Sequence, residues 1–286
     1  MGQEKIQDFL NELPRMREDL PFSPRLLKRL FIQTGSNSTA SLEEVGETLS
    51  KDQGLTTRIL SLANSAYYGL QSEVQSVPRA AAVLGMGEIR NIVLALGVQS
   101  LTKQCDLPED FSLGEYWQHQ LLVGMAAREF SRMTDLGNPG NLFTVGLLHD
   151  VGKLITAMRR PEDWQIIHDL ADDESLLDAE AEDRHWGSDH ALVGSLVLSS
   201  WELPDELTEP VKWHHDPALS PAHSNESMII CLANYAIHAA DDPEGPYVEL
   251  TEEFCPELEM DFEEVMETTA ELAESEEVEQ FARLLA

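Results

Sequence analysis

Apolar residues recur at intervals of three and four along most of the chain, the spacing of one face of an α-helix. Alternating runs of β-branched residues between tight turns, typical of strands, are missing from the sequence. Ser41 followed by Glu44 predicts a capping box at one helix start. Pro78 and Gly85 predict the start and the end of another helix. The predicted helices of the first half contain residues 26–31, residues 42–49, residues 55–68 with Ile59, Leu62, Ala63 and Ala66 facing inward, residues 78–84 and residues 89–101.

The second half follows a loop rich in turn-forming residues, 105–114. Its predicted helices lie near 113–133, 140–149, 160–172, 174–184, 188–201, 206–215 and 224–239. A Gly-Pro break after Asp241 predicts a linker, and residues 250–286 keep an apolar stripe that predicts one or two docked helices. We therefore expect an all-α protein with an N-terminal helical half (1–105), a second helical half (106–240) and an acidic C-terminal extension (241–286).

The net charge of -33 sets limits on the partners of this chain. An acidic surface repels phosphate backbones and anionic lipid, so we expect no direct nucleic-acid contact and no membrane contact. The longest apolar run, 92–98, is far shorter than the roughly 20 residues of a membrane span. The first ten residues carry charges and no apolar signal segment. These features predict a soluble, cytoplasmic protein. The three cysteines form no CxxC pair, which argues against a disulfide framework or a zinc knot.

Histidines carry the candidate chemistry. Several of the nine fall on the apolar faces of separate predicted helices, including His119, His149, His190 and His214. Buried histidines need a metal ion or hydrogen-bond partners, so a metal site inside a helical bundle is one interpretation. The alternative is that they are core histidines of a site that has lost its ion, and the residue pattern alone leaves both open.

The adjacent pair His149-Asp150 lies at a predicted helix end, where both side chains can reach one ion. Imidazole and carboxylate together suit Fe, Mn, Zn or Ni better than Ca. We expect Gly152 to allow a tight backbone turn there. Lys153 could reach a phosphate, or it could be a solvated lysine at a helix end. No GxSxG, Walker A or GxGxxG motif offers another chemistry.

Three long stretches resemble the HDOD domain family, a branch of the HD metal-dependent phosphohydrolase superfamily. They are DQGLTTRILSLANSAYYGL with Asn64-Ser65 at its centre, VQSVPRAAAVLGMGEIRNIVLAL, and SDHALVGSLVLSSWELPDELTEPVKWHHDP. His119 and the GLLHDVGKL segment resemble the opening of the HD site. The resemblance covers about residues 15–240. It implies an all-α fold with an HD-like half beside an N-terminal helical half, and a role in bacterial signal transduction.

The same resemblance implies a ligand set for a divalent transition metal: His119, His149, Asp150, His190, His214 and Asn234. Asn234 departs from the family's catalytic pattern, which has Asp there, and a neutral amide is a poorer metal ligand. Two hypotheses follow. The first is a regulatory module without turnover, which acts through a protein partner in a signalling pathway and holds a metal. The second is a metal-dependent phosphohydrolase acting on nucleotides or cyclic dinucleotides, with Lys153 steadying the phosphate. A pure scaffold with core histidines is a third hypothesis.

We expect Asn64-Ser65 to hydrogen-bond backbone between helices, because short polar side chains do this well. The acidic C-terminal segment is most simply a solubilising helix, and docking onto a basic partner is the alternative.

Overall fold

The structure, a computed structural model, describes residues 2–18, 24–35, 38–102 and 105–286. Within these ranges the chain forms α-helices and short 3-10 turns, and no strand. This confirms the predicted all-α class. The helices of the first half are α1 (Gly2–Glu12), α2 (Pro24–Thr34), α3 (Leu42–Leu49), α4 (Gln53–Ala63), α5 (Val77–Leu84) and α6 (Met86–Thr102).

The second half continues the same architecture. Its helices are α7 (Leu113–Thr134), α8 (Pro139–Leu148), α9 (Val151–Arg159), α10 (Pro161–Glu174), α11 (Asp178–Trp186), α12 (His190–Ser200), α13 (Asp205–Trp213) and α14 (Ser224–Asp241), followed by α15 (Tyr247–Phe254), α16 (Phe262–Ala273) and α17 (Glu276–Leu285). Sequence spacing did not predict α9 as a separate helix. Its first residues follow α8 so closely that the two apolar patterns merge.

Local signals place the ends of the first-half helices. The side chain of Ser41 accepts from the backbone N–H of Glu44, and the Glu44 carboxylate accepts from the backbone N–H of Ser41, which confirms the capping box. Pro78 lies in the first turn of α5, and Gly85 ends that helix with a φ of 93°. The predicted helix 55–68 was too long. It ends at Ala63, and Ala66, expected to face inward, is exposed in a short 3-10 turn.

Asn64 explains that early end. Its side-chain amide donates to the carbonyls of Leu60 and Val74, at 2.8 Å and 2.9 Å, and its Oδ1 accepts from the Val74 backbone N–H at 2.7 Å. The expected backbone bonding between helices is therefore confirmed for Asn64. These bonds fix the loop that carries the chain from α4 to α5.

Two glycine pairs set the closest helix contacts. A Cβ on Gly146 of α8 would lie 2.5 Å from the Cα of Gly124 on α7, so the two helices touch backbone to backbone there. A Cβ on Gly152 would lie 1.9 Å from the carbonyl oxygen of His190, and Gly194 lies against the same contact. The expectation that Gly152 serves a tight turn was wrong. It lies inside α9 and gives α12 room to approach.

The C-terminal segment packs on both halves. The sequence predicted one or two helices in this segment, and the structure contains three. The last of them, α17, lies against α6, α7 and the 3-10 turn Ala66–Tyr68. Phe281 is buried against the rings of Tyr67 and Tyr68. The buried stripe of α17 is Val278, Phe281, Ala282 and Leu285. The division of the chain at residues 105 and 240 stays a prediction.

Within the described ranges, no helix by itself combines the length and the apolar character needed to cross a bilayer. α5 and α6 meet that criterion only as a pair, bent by 117° at their junction.

Candidate metal centre

His149 and Asp150 occupy the junction between two helices. His149 is the C-terminal cap residue of α8, and Asp150 is the N-terminal cap residue of α9. Both side chains are fully buried. The prediction that the pair lies at a helix end is therefore confirmed, and the junction directs an imidazole and a carboxylate into the interior.

The Asp150 carboxylate is the centre of the cluster. Its Oδ1 lies 2.9 Å from His190 Nε2, 3.3 Å from His149 Nε2 and 3.7 Å from His214 Nε2, and its Oδ2 lies 3.7 Å from His119 Nε2. These side chains come from α7, the α8–α9 junction, α12 and the end of α13. The fold thus brings together five of the six predicted ligands.

Hydrogen bonds fix which imidazole nitrogen faces the centre. The Nδ1 of His149 donates to the carbonyl of Gly146 at 2.8 Å, and the Nδ1 of His214 donates to the carbonyl of Val211 at 2.7 Å. A carbonyl can only accept, so in the neutral ring the proton is on Nδ1 and the lone pair is on Nε2. Both Nε2 atoms are buried without a hydrogen-bond partner in the part of the chain that the structure describes. A metal ligand is oriented in this way.

His190 is held differently. Its Nδ1 and its backbone N–H both donate to Glu182 Oε2, at 2.7 Å and 2.6 Å. Its Nε2 lies 2.9 Å from His215 Nε2 as well as from Asp150. A carboxylate behind an imidazole raises its basicity and sets its orientation, as in carboxylate–histidine–metal arrangements.

Burial and charge divide the histidines into two states. Burial lowers the pKa of His119, His149, His214 and His215, which favours the neutral, ligand-competent ring. Burial also lowers the pKa of His190, but Glu182 and Asp150 outweigh it and raise that pKa to about 10. Ligation of a metal by His190 therefore requires the loss of a proton.

Asp150 is anionic. Burial raises the pKa of its carboxyl group, but His149, Lys153 and His190 outweigh that effect and hold the pKa well below its usual range. The cluster thus offers one negative charge among several imidazoles.

Lys153 is part of the same cluster. Its ammonium lies 2.9 Å from Asp150 and 2.7 Å from Asp178. Burial lowers the pKa of Lys153, but the two carboxylates outweigh it and raise that pKa well above its usual value. The interpretation of Lys153 as a solvated lysine was wrong, because its side chain is only 19% exposed and is paired on both sides.

Asn234 lies on α14, buried, with its Oδ1 lacking a hydrogen-bond partner among the described residues. It shares a helix face with His238, four residues on. The His238 ring stacks on Tyr247 and lies 4.6 Å from the His119 ring, between centroids. This places Asn234 on the side of α14 that faces the cluster, and its role as a ligand stays a prediction.

Sequence reasoning missed four residues around the cluster: Asp178, Glu182, His215 and His238. Asp178 and Glu182 are four apart on α11, so one face of that helix serves both Lys153 and His190. That spacing was visible in the sequence, but nothing local indicated which partners the carboxylates would meet. His215 adjoins the predicted ligand His214, and adjacency was the only available signal.

A cleft of about 550 Å³ leads to the cluster. Asp150, His119 and Lys153 lie in its wall, and Phe111, Trp164 and His168 form part of its apolar side. The Trp164 and His168 rings are stacked at 5.0 Å. The cleft therefore extends to the wall that contains Asp150, whose side chain is 2% exposed.

The donor set fits a divalent transition metal. His119, His149 and Asp150 offer ligand atoms that all lie within 4.8 Å of one another, and so do His190, His214 and His215. Unpartnered imidazole Nε2 atoms surround the Asp150 carboxylate at the centre of the described cluster, an N/O set suited to Fe, Mn, Zn or Ni. The cluster could hold a metal ion, and its chemistry leaves the identity of the ion open.

An all-helical fold with a histidine–aspartate cluster between its helices defines a class of HD-like proteins. The HDOD domain model matches residues 20–217, more than half of the chain, and the chain belongs to the HDOD domain family. The resemblance predicted from the sequence is thereby confirmed.

Three similar proteins match this chain at low identity. An uncharacterized protein of Treponema pallidum (strain Nichols) is 23% identical over 269 residues, which are 93% of this chain and 51% of that protein. This chain thus spans about half the length of that curated relative. A candidate phosphohydrolase from Shewanella amazonensis SB2B is 23% identical with a TM-score of 0.73, over 96% of this chain and 98% of that one. A candidate signal transduction protein from Marinobacter aquaeolei VT8 is 21% identical with a TM-score of 0.81, over 100% of this chain and 66% of that one. At such identities the two structures establish a shared fold.

Proposed function

We propose that this chain is a regulatory HDOD module of bacterial signal transduction. In this proposal it holds a divalent transition metal at the His–Asp cluster and does not turn over a substrate. The ligands are His119, His149, Asp150, His190 and His214. A bound ion would supply Lewis-acid polarisation and would order the helices that carry its ligands.

The observation that carries the proposal is the convergence of unsatisfied ligand atoms. The Nε2 atoms of His119, His149 and His214 are all buried without a hydrogen-bond partner among the described residues, and each lies 3.3–3.7 Å from a carboxylate oxygen of Asp150. Leaving one buried polar atom unsatisfied costs about 1–3 kcal/mol, so three in one place favour a ligand that satisfies them together. Histidines packed only as core residues would not need their Nε2 atoms directed at the same carboxylate.

Two features favour regulation over hydrolysis. Asn234 supplies a neutral amide where the active pattern has a carboxylate, which weakens a second metal position. Lys153 is neutralised by Asp150 and Asp178, so its ammonium is engaged before any phosphate arrives. The cleft wall also carries Asp110, Glu115 and Asp241. These charges oppose an anionic substrate.

The alternative is a metal-dependent phosphohydrolase. The similarity of fold to a candidate phosphohydrolase and the position of Asp150 in the cleft wall support it. The similarity of fold to a candidate signal transduction protein supports the regulatory proposal. In the regulatory role the module acts through a protein partner, and a phosphate-containing ligand in the cleft is the other expected contact. Direct nucleic-acid binding is not part of the proposal, and we place the protein in the cytoplasm.

Elemental analysis of the untagged, full-length protein tests the metal. We expect close to one equivalent of Fe, Mn, Zn or Ni, lost in the double variant His149→Ala, Asp150→Ala. His168→Ala is the matched control, because His168 lines the same cleft outside the cluster. Absence of metal in the native protein, even after reconstitution, would exclude the proposed site.

A hydrolysis assay separates the two functions. Metal-loaded protein is incubated with bis-p-nitrophenyl phosphate and with cyclic dinucleotides. We expect no turnover above that of the double variant. Turnover that disappears in the double variant would establish the phosphohydrolase instead. Asn234→Asp is the informative companion, since a gain of activity there identifies the amide as the missing element.

A further inference from the structure

A second pocket, of about 870 Å³, lies between α2, α3, α6 and α8 and shares no lining residue with the cleft at the metal centre. Its wall is mostly polar and includes Gln33, Thr39, Arg90 and Asn141. The volume falls in the range of small-molecule sites. Nothing in the proposed metal function uses this pocket.

Arg90 is the distinctive residue of the wall. Its side chain is 5% exposed, and its guanidinium lies 4.8 Å from the centre of the Phe31 ring. One terminal nitrogen donates to Asn141 Oδ1 at 2.9 Å, while Nε has no partner. Among the described residues, no carboxylate lies within ion-pair distance of it. Burial lowers the pKa of Arg90, and the more distant charges of Glu206 and Glu88 offset only part of that effect. A buried guanidinium with a free Nε–H donor in a pocket therefore favours an anion.

Two helix N-termini face the same space. Gly87 lies in the first turn of α6. The first bond of this helix runs from the Ile89 N–H to the Gly85 carbonyl, so the backbone N–H groups of residues 86–88 have no acceptor within the helix. Gly140 lies in the first turn of α8, capped by Asn138. A Cβ added to Gly87 would meet no atom within 4 Å, so this turn is open to a ligand. Helix N-termini carry partial positive charge and free donors that suit oxyanions.

We propose that this pocket binds the phosphate group of a small phosphorylated ligand, with Arg90, the first turn of α6 and the Gly140 N–H at the start of α8 as its donors. The planar guanidinium matches phosphate geometry. Glu44 and Glu206 also line the pocket. The Glu44 carboxylate accepts from the Ser41 backbone N–H. A carboxylate repels a phosphate and accepts from hydroxyl groups, so Glu44 and Glu206 favour a ligand whose organic part carries hydroxyl groups.

The pocket and the metal centre lie at opposite ends of the same helices. α8 begins at the pocket with Gly140 and ends with His149, and α13 has Glu206 in its first turn and ends with His214. At 1.5 Å per residue, α8 separates the two sites by roughly 15 Å. A ligand that fills this pocket would therefore lie against the starts of the two helices whose ends supply His149 and His214.

Calorimetric titration of the full chain with inorganic phosphate and, separately, with adenosine 5′-monophosphate tests the proposal. Salt is held constant with chloride. We expect saturable binding with a Kd on the order of 1 mM or tighter for at least one probe. Equal affinity for both probes identifies the phosphate alone as the ligand. Affinity for the nucleotide that is about tenfold higher identifies a phosphomonoester.

Variants locate the binding. We expect Gly87→Glu, which places a carboxylate in open space, and Arg90→Gln each to weaken binding by about tenfold or more. The matched control Arg79→Gln removes an equal charge from an exposed position on α5 and leaves binding intact. Binding must also persist in the double variant His149→Ala, Asp150→Ala. Absence of binding up to about 10 mM of either probe, persistence of binding in Gly87→Glu, or loss of binding in the double variant would each overturn the proposal.

Discussion

Glu182 holds His190 by two hydrogen bonds to one carboxylate oxygen, from the backbone N–H at 2.6 Å and from Nδ1 at 2.7 Å. The carboxylate thereby fixes both the start of α12 and the rotation of the imidazole. The opposite nitrogen, Nε2, is directed at Asp150, 2.9 Å away. Glu182 thus acts on the metal centre through His190.

Glu182→Gln should weaken metal retention while leaving the fold intact. The amide keeps an acceptor but loses the charge that raises the basicity of His190, and losing such a partner costs about 10–100-fold in metal affinity. Competition with a graded chelator measures the change. Asp183→Asn is the control, because it removes the same charge from the exposed neighbouring position. An unchanged affinity in Glu182→Gln would assign Glu182 to folding alone.

Gly152→Ala should destabilise the protein strongly. The added Cβ would lie 1.9 Å from the carbonyl oxygen of His190, and backbone cannot give way as a flexible side chain can. We expect a loss of about 3 kcal/mol or more in the free energy of unfolding, measured by urea denaturation. Gly114→Ala is the control, since its Cβ would lie at ordinary contact distance from its nearest neighbour, 4.0 Å from Ser112 Oγ. A loss below about 1 kcal/mol in Gly152→Ala would show that α9 and α12 can separate readily.

Glu209 should give the stability a defined pH dependence. Its Oε1 accepts from Ser220 Oγ and from the backbone N–H groups of Ala222 and His223, at 2.7, 2.6 and 2.9 Å. Burial raises the pKa of Glu209, but these bonds outweigh it and hold that pKa below its usual value. The contribution of the ionised Glu209 side chain to the free energy of unfolding is therefore complete above the unfolded-state pKa. It is lost as the pH falls through the folded-state pKa.

The matching variant is Glu209→Gln. We expect its free energy of unfolding to be about 1 kcal/mol lower than that of the native protein near neutral pH, a modest value because the side chain is only partly buried. The difference from the native protein should shrink towards zero as the pH falls from neutral to below the usual glutamate pKa of about 4.3, because the folded-state pKa lies lower still. Urea denaturation at several pH values measures it. A difference that stays constant over this range would contradict the assigned role of the charge.

Phe281→Ala should release α17 without unfolding the rest of the chain. Phe281 is 3% exposed and packs on Tyr67 and Tyr68, so its removal takes away the main anchor of a ten-residue helix. We expect amide hydrogen exchange in Glu276–Leu285 to rise at least about tenfold, while α7 and α8 keep their protection. Leu284→Ala, at a position 49% exposed, is the control. Unchanged exchange in α17 would show that the other buried residues suffice.

Much of the fold was predictable because its signals are local. The capping box at Ser41, the Pro78–Gly85 boundaries and the helix-end position of His149-Asp150 each depend on residues within one or two turns of each other. The HDOD signature stretches added the family and the expected ligand set. The errors arose where contacts between residues far apart in the chain determine the local structure. Ala66 is exposed because Asn64 ends the helix by bonding to Val74, ten residues away.

The sequence by itself determined most of the helices, several of their ends and the presence of inward-facing histidines, because hydrophobic periodicity and capping act over three or four residues. Only the tertiary structure decided that Asp150 meets imidazoles from α7, α12 and α13, and that Asp178 and Glu182 of α11 stand behind Lys153 and His190. The tertiary structure also decided that Gly152 contacts the His190 carbonyl and that Arg90 is buried beside Phe31. The physical reason is that these contacts depend on how helices far apart in the chain cross, which the packing of the whole core sets.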